Sequence, residues 1–461
     1  MVIHYSGHDR RPGMIALVAD TAAVRAIETV LLAALPPALL IGDHVLGDAA
    51  RGATRPRSLR SAYLVLLCIA IAAGGTIVVH NAWRATATPP GADFRGFWVW
   101  GRALVAGHNP YHAAVLRAAA VGTPVVPSEV PFFDVACVYP PPTLLLFAPL
   151  GWFSFGVAAV LWTGLQLVAL AVSAVLIWRL FLADRGARGL ALAAALTCLL
   201  PAGWLTLGDG QTNFLTLMFV LAAWRTRDRA VSGVCLAAAA IVKPLYAIVS
   251  LYPLVRRRWG AVLASALTVV LATTAATVAF GADTVLTYIR DNPAKRLPAS
   301  FFSTEWTNQS LAAMVVRFAP HEWVTANPVS NPLYLGLAAM VLAVTVWVAS
   351  RVPRTAEGED CAFALFVPAS LLVYPATLGM YSVMLLPPLL VLWRLRRVWT
   401  DGVVWIAALA AAVYTVTHVD DAHFSVIATV LVWAALVALG VRLATGRVDL
   451  AGQLMPASQA A

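Results

Sequence analysis

The chain alternates long apolar runs with short polar breaks, and every second break is rich in arginine. The first strong run, Ser61 to His80, follows Arg51, Arg55, Arg57 and Arg60 and is long enough for one membrane-spanning helix, which takes about 20 apolar residues. Basic flanks stay in the cytoplasm, so this run predicts an exit on the outer side. Further runs at Phe155 to Trp178, Gly189 to Thr206, Thr212 to Trp224, Gly260 to Phe280, Leu333 to Ser350, Cys361 to Tyr374, Tyr381 to Trp393, Gly402 to Thr417 and His423 to Val441 predict further crossings. Arg179, Arg185, Arg225, Arg227, Arg351, Arg354, Arg394 and Arg442 all fall on the inner side of that alternation. The stretch Ala230 to Pro253 would put Arg256, Arg257 and Arg258 outside if it crossed once, so a pair of short helices broken at Lys243-Pro244 is expected instead.

The pattern therefore predicts an all-α, polytopic helical membrane protein of about twelve spans with both termini in the cytoplasm. Residues 1–60 form a cytoplasmic leader, poorly structured or amphipathic, 61–443 the transmembrane domain and 444–461 a cytoplasmic tail. Two outer loops are long, Asn81 to Tyr139 and Gly281 to Pro332. The first is expected to carry interfacial helices, with Trp98 and Trp100 in a headgroup-level belt, and PPPTLLLFAPL, Pro140 to Leu150, to dip into the outer leaflet without crossing.

Composition sharpens the class. With 61% hydrophobic and only 12% charged residues among 461, the chain has too little charge to cover a soluble domain. The net charge of +10 comes from arginines clustered between apolar runs, which excludes a nucleic-acid face. The five cysteines have no metal-ligand spacing, and His418, Asp420, Asp421 and His423 are explained by a short outer turn, so neither metal nor cofactor is expected.

On this topology the polar residues able to do chemistry collect on the outer side. Asp93 stands just beyond the first span, either as a helix-end residue or as a reactive acid. A lysine inside an apolar stretch needs a counter-charge or a wet cavity, so Lys243 marks a polar hollow in the bundle, paired to a carboxylate such as Asp209 or facing a phosphate. Asn308, Gln309 and Ser310 serve either as caps for a helix beginning near Leu311 or as ligand contacts. A transporter or flippase of a lipid-linked or polar solute is the alternative of another class, disfavoured by the two large outer loops and the lack of an internal repeat.

Taken in order, ADFRGFWVWGRALVAGHNPYH, VYPPPTLLLFAPL, LGDGQTNFLTLMF, AAIVKPLYAIVSLYPLVRRRW, TNQSLAAMVVRF and YPATLGMYSVMLLPPL resemble the membrane-embedded glycosyltransferases of family 87. The resemblance runs from about Ser61 to Val441 and rests on order and spacing rather than on any one motif. It implies a GT-C-like fold, a polyprenyl-phosphate-linked sugar as donor, a cell-envelope glycolipid or glycan as acceptor, and a site on the outer side of the plasma membrane. Asp93 takes the place of the family's general base. Lys243 and Arg95 are then candidates for the donor phosphate, and Gln211, Asn213, Asn308, Gln309, Tyr139 and Tyr381 for sugar or acceptor. At Met380-Tyr381-Ser382 the chain departs from members that carry a histidine pair or an aspartate after the tyrosine. Mannose is the first expectation for the sugar and arabinofuranose the second.

Overall fold

The computed structural model describes residues 35–36, 38–43, 57–87, 92–125, 137–291, 300–303, 308–325, 327–395 and 425–445. Helices account for nearly all of these, and the one strand-like feature among them is an isolated bridge between Asn308 and Leu378. Five helical stretches are long and apolar enough to cross a membrane, and four shorter apolar ones accompany them. The chain is thus an all-α, polytopic membrane protein.

In chain order, α1 (Arg57–Ala87) is a long span whose Val65, Ile69 and Val79 face outward from the bundle. The helices α2 (Ala92–Val105) and α3 (Ala113–Ala120) follow. Next, α4 (Pro141–Phe147) opens on prolines, whose missing N–H groups cost nothing in a first turn, and tightens into a 3-10 turn at Ala148–Trp152. α2 lies on that turn with Gly101 against Gly151; a Cβ on either would strike the other segment's backbone, so this approach requires glycine on both sides.

The span α5 (Phe155–Ile177) ends in a π-helical turn, Trp178–Leu182, and Gly186, with φ of 56°, starts α6 (Gly186–Cys198). After α7 (Pro201–Asp209) come α8 (Asn213–Arg225) and α9 (Val231–Val242), then a 3-10 turn at Pro244–Ile248 and α10 (Leu251–Val255). Helices of 13 and 12 residues rise only about 18 to 20 Å. Each is shorter than a hydrocarbon core about 30 Å thick. The remaining helices are α11 (Trp259–Phe280), α12 (Ala282–Asp291), α13 (Leu311–Phe318), α14 (Pro332–Arg351), α15 (Ala356–Val373), α16 (Leu386–Arg394) and α17 (Ser425–Ala444). α15 is buried on all sides over Gly358 to Leu372, as a helix apolar all round should be. The expected crossing at 402–417 and the His418 to His423 turn lie outside the described residues.

The arginine-bearing breaks meet at one end of the bundle. Arg258 pairs with Asp228 and Glu359, Arg256 pairs with Glu359, and Asp360 accepts from Trp224, Arg227 and Arg394. Because Arg258 meets the turn between α8 and α9, the segment broken at Lys243-Pro244 returns to the end it left. Part of the leader joins this end too: residues 38–43 are helical, Leu39 is in the core, and Asp43 pairs with Arg185 and Arg188.

One expectation is overturned at α2. Trp98 and Trp100 are buried rather than set at headgroup level, and the Trp98 indole donates to Phe153 O at 3.1 Å. Phe97 stacks on Phe147 with centroids 4.2 Å apart, and Trp100 and Tyr139 close around the pair. Alternating aromatics do suit an interface, but here the Gly101–Gly151 approach draws the helix into the protein, where burying rings is worth more than leaving them at the interface.

Candidate active site

The site is assembled by three local chain reversals. At the first, α7 ends on Gly210 in the left-handed conformation, φ 69° and ψ 30°, and the chain turns into α8 with Gln211 and Asn213 on either side of Thr212. The Trp162 indole donates to Gly210 O at 2.6 Å and pins the turn to α5. A Cβ on Gly210 would come within 2.5 Å of Phe94 Cβ, so Gly210 lies directly on α2, one residue from Asp93. That contact brings Asp93, in the first turn of α2, alongside Gln211.

At the second reversal, Lys243 is extended, φ −145° and ψ 111°, as a residue preceding proline is driven to be. α9 therefore stops at Val242 and leaves the ammonium beside the α7–α8 turn. There Lys243 donates to Gln211 Oε1 at 2.9 Å and to Asn213 Oδ1. The third reversal is the 3-10 turn Gly379–Leu385, which sets the Tyr381 ring 3.3 Å from the ammonium, centroid to nitrogen.

Gln211 is the link between acid and ammonium. Its amide donates to the Asp93 carboxylate while its oxygen accepts from Lys243, and the Tyr139 hydroxyl bonds to the same side chain. Lys243, Gln211 and Asn213 are fully buried, whereas Asp93 is half-buried and forms the accessible edge. Burial pushes the Asp93 carboxyl above the ordinary aspartate range, and the Gln211 hydrogen bond and the Lys243 charge oppose that rise without cancelling it. A carboxylate so placed is a stronger base than one in water.

Of the residues expected at the site, Asp93, Lys243, Gln211, Asn213, Tyr139 and Tyr381 come together. The carboxylate that faces the Lys243 ammonium is Asp93. Asn213 has its amide N–H groups committed to Thr206 Oγ1 at 2.9 Å and Met380 O at 3.1 Å. It thereby ties α7, α8 and the Tyr381 turn together. Arg95 lies two positions along α2 from Asp93, about 200° around the helix, and is half-buried with interactions of its own. Asn308 spends its amide on Phe301 O and Pro375 O and accepts from Ser310, which caps α13 through Ala313 N. Gln309 N donates to Thr377 O, three residues before Met380, so this loop braces the Tyr381 turn from behind.

Two tyrosines at the site were not singled out from the sequence. Tyr374 lies near the Tyr139 and Tyr381 hydroxyls, and Tyr246 near Tyr381. A signal for Tyr374 existed, since Val373-Tyr374-Pro375 repeats the order Val138-Tyr139-Pro140 at the end of another apolar run. Among the described residues no three His, Cys, Asp or Glu side chains gather as metal ligands.

The model of glycosyltransferase family 87 matches residues 138–375. An alpha-(1->3)-arabinofuranosyltransferase of Corynebacterium glutamicum is 26% identical over 302 residues, 64% of this chain and 69% of that protein. A polyprenol-phosphate-mannose-dependent alpha-(1-2)-phosphatidylinositol mannoside mannosyltransferase of Mycobacterium tuberculosis is 27% identical over 358 residues, 72% of this chain and 78% of that protein. No solved structure matches the chain significantly.

Proposed function

The chain belongs to glycosyltransferase family 87, and from this we infer that it moves a sugar from a polyprenyl-phosphate donor to a cell-envelope glycolipid or glycan, at the outer face of the plasma membrane. The observation that carries the reading is the chain Asp93, Gln211, Lys243, in which one half-buried acid is backed by a buried amide and lysine. Mannose is the sugar we propose first, after the mannosyltransferase relative. Arabinofuranose is the second, after the arabinofuranosyltransferase.

The reaction is a single displacement with inversion. Asp93 accepts the proton of the acceptor hydroxyl as its oxygen attacks the anomeric carbon, and the bond from that carbon to the phosphate oxygen breaks. Polyprenyl phosphate leaves with the electron pair. General-base help of this kind contributes about two to four orders of magnitude in rate. The negative charge growing on the leaving phosphate is met by Lys243, already fixed in a water-poor setting and needing no reorganisation. Tyr139, Tyr381 and Gln211 are the proposed contacts for sugar and acceptor hydroxyls, with Gln309 setting the Tyr381 turn from behind. The prenyl chain stays among the apolar helices, so no nucleotide sugar is needed on the outer side.

The test is transfer of labelled sugar from polyprenyl-phosphate-mannose, and separately from the arabinofuranosyl donor, to a membrane glycolipid acceptor by the purified protein in nanodiscs. Asp93→Asn, which keeps the shape, should lose transfer by at least about a hundredfold. Transfer by Asp93→Asn at the wild-type rate would remove Asp93 from the role of base. Transfer from neither donor by the wild type would remove the polyprenyl-phosphate reading.

A further inference from the structure

At the arginine end, far from Asp93, a cavity of about 440 Å³ opens between residues 179–185 and the end of α16. Trp162, whose indole holds Gly210 O at the candidate active site, stands 17 residues before Arg179 along α5 and its π-helical turn, so the cavity is roughly 25 Å from that site. It has no part in the sugar chemistry proposed above.

Three guanidinium groups line it, Arg179, Arg185 and Arg394, against the single carboxylate of Asp184. Arg185 is held by Asp43, and Arg394 by Asp360 and Leu180 O. Arg179 is exposed and has no ion pair among the described residues. The π-helical turn widens the backbone where Arg179 stands, a local departure from regular helix that costs stability and recurs at functional positions. Among its lining residues the wall is net positive, and Arg179 is the guanidinium with no carboxylate partner among the described residues.

Its position along α5 indicates what fills it. Val157, Leu161, Leu165, Val168 and Val172 are all exposed, and their spacing of four, four, three and four residues puts them on one face of the helix. Leu176 and then Arg179 continue that face. On a span, an exposed apolar face meets acyl chains, and Val172 and Val168 lie about 10 and 16 Å from Arg179, within one leaflet of a core about 30 Å thick. The stripe thus leads an acyl chain from the bilayer to a cationic hollow at headgroup depth. We propose that this cavity seats one anionic phospholipid of the adjacent leaflet, its phosphodiester on Arg179 between Arg185 and Arg394, and one acyl chain along Val172 and Val168.

The test is native mass spectrometry of the full chain in detergent, titrated with phosphatidylglycerol or phosphatidylcholine. The wild type should keep one phosphatidylglycerol in preference to phosphatidylcholine. Arg179→Gln should weaken that retention about fivefold, in keeping with one basic group at a lipid surface, and Arg179→Lys should restore most of it. Arg225→Gln removes an exposed arginine at the same end and should leave retention unchanged. Equal retention by wild type and Arg179→Gln would overturn the proposal. So would an equal loss in Arg225→Gln, which would mean that the charged end attracts lipid without a site. Displacement of phosphatidylglycerol by an equimolar polyprenyl phosphate would assign the cavity to the carrier lipid and overturn the phospholipid assignment. Because lipid retention is read without turnover, Asp93→Asn should behave as wild type here, which keeps this result separate from that of the transfer assay.

Discussion

The Lys243 ammonium lies 3.3 Å from the centroid of the Tyr381 ring, and Gln211 and Asn213 take its other directions. An ammonium has three N–H donors, and here two meet amide oxygens while the third faces a π-system. A donor phosphate reaching Lys243 must therefore displace one of these. The ring is the weakest acceptor of the three, and it rides on the 3-10 turn Gly379–Leu385 rather than on a long helix. On the proposed reading, the Tyr381 side is where the donor phosphate would enter.

Substitution at Tyr381 should separate the two roles of its ring. Tyr381→Phe keeps the π-face and should hold thermal stability within about 0.5 kcal/mol, whereas Tyr381→Leu should lose roughly 2 kcal/mol for a desolvated cation over a ring. Lys243→Met should lower transfer about a hundred- to a thousandfold if the ammonium meets the leaving phosphate. Thermal unfolding and turnover, measured on the same nanodisc preparations, check all three.

The pH dependence follows from Asp93. On the proposed reading Asp93 must be ionised to act as base, and burial holds its carboxyl above the ordinary aspartate range, so transfer should fall on the acid side before pH reaches the ordinary value of about 3.9. Gln211 donates to the carboxylate and favours its charged form. Gln211→Met should then move the acid limb to higher pH, while a Gln211 that serves only to bind sugar would change KM and leave the limb in place. A profile of kcat/KM from pH 4.5 to 8 for the two proteins decides between these.

The helical, many-span character of the chain was legible because apolar runs and arginine flanks are local signals that need no tertiary knowledge. The return of the segment broken at Lys243-Pro244 was legible too, since Arg256 and Arg258 had to rejoin the other arginines and do so through Glu359 and Asp228. The aromatic face of α2 was not. Trp98 and Trp100 fit an interface by composition, and only the meeting of Gly101 with Gly151, 50 positions apart, turns them inward. At the site, Asn213 and Asn308 had the right chemistry to bind a sugar, yet their amides are consumed by Met380 O, Pro375 O and Phe301 O. Residue type shows what an amide can bond, and the fold decides with what.

Gly210 and Gly122 form a matched pair for the α7–α8 turn. Both have φ of 69°, but a Cβ on Gly210 meets Phe94 at 2.5 Å and one on Gly122 has nothing within 4 Å among the described residues. Each alanine pays about 1 to 2 kcal/mol for the left-handed backbone. Gly210→Ala should cost more than Gly122→Ala and should also depress transfer, because the displaced turn carries Gln211 away from Asp93. Thermal melts and transfer rates of the two variants check this, and equal losses of both would mean that the Phe94 contact does not set the site.

Glu359 holds the arginine end shut. It accepts from Tyr252 at 2.5 Å, from Arg258 at 2.8 Å and from Arg256, and Arg256 also donates to Ala349 O and Val352 O. Removing one partner of a buried pair leaves the other charge stranded, so Glu359→Gln should cost about 3 to 5 kcal/mol. The pH dependence has a definite sign. Burial raises the Glu359 carboxyl, but the hydrogen bonds from Arg256 and Tyr252 outweigh it and hold the group below the ordinary glutamate value. Its contribution is therefore complete above about pH 4.3 and is lost as pH falls through the lower folded value. Melting temperatures of wild type and Glu359→Gln should differ by a constant amount from pH 8 down to about 5 and draw together as pH falls further. A gap that persists undiminished at pH 3 would show that shape at this position, and not the carboxylate charge, joins α10 to α15.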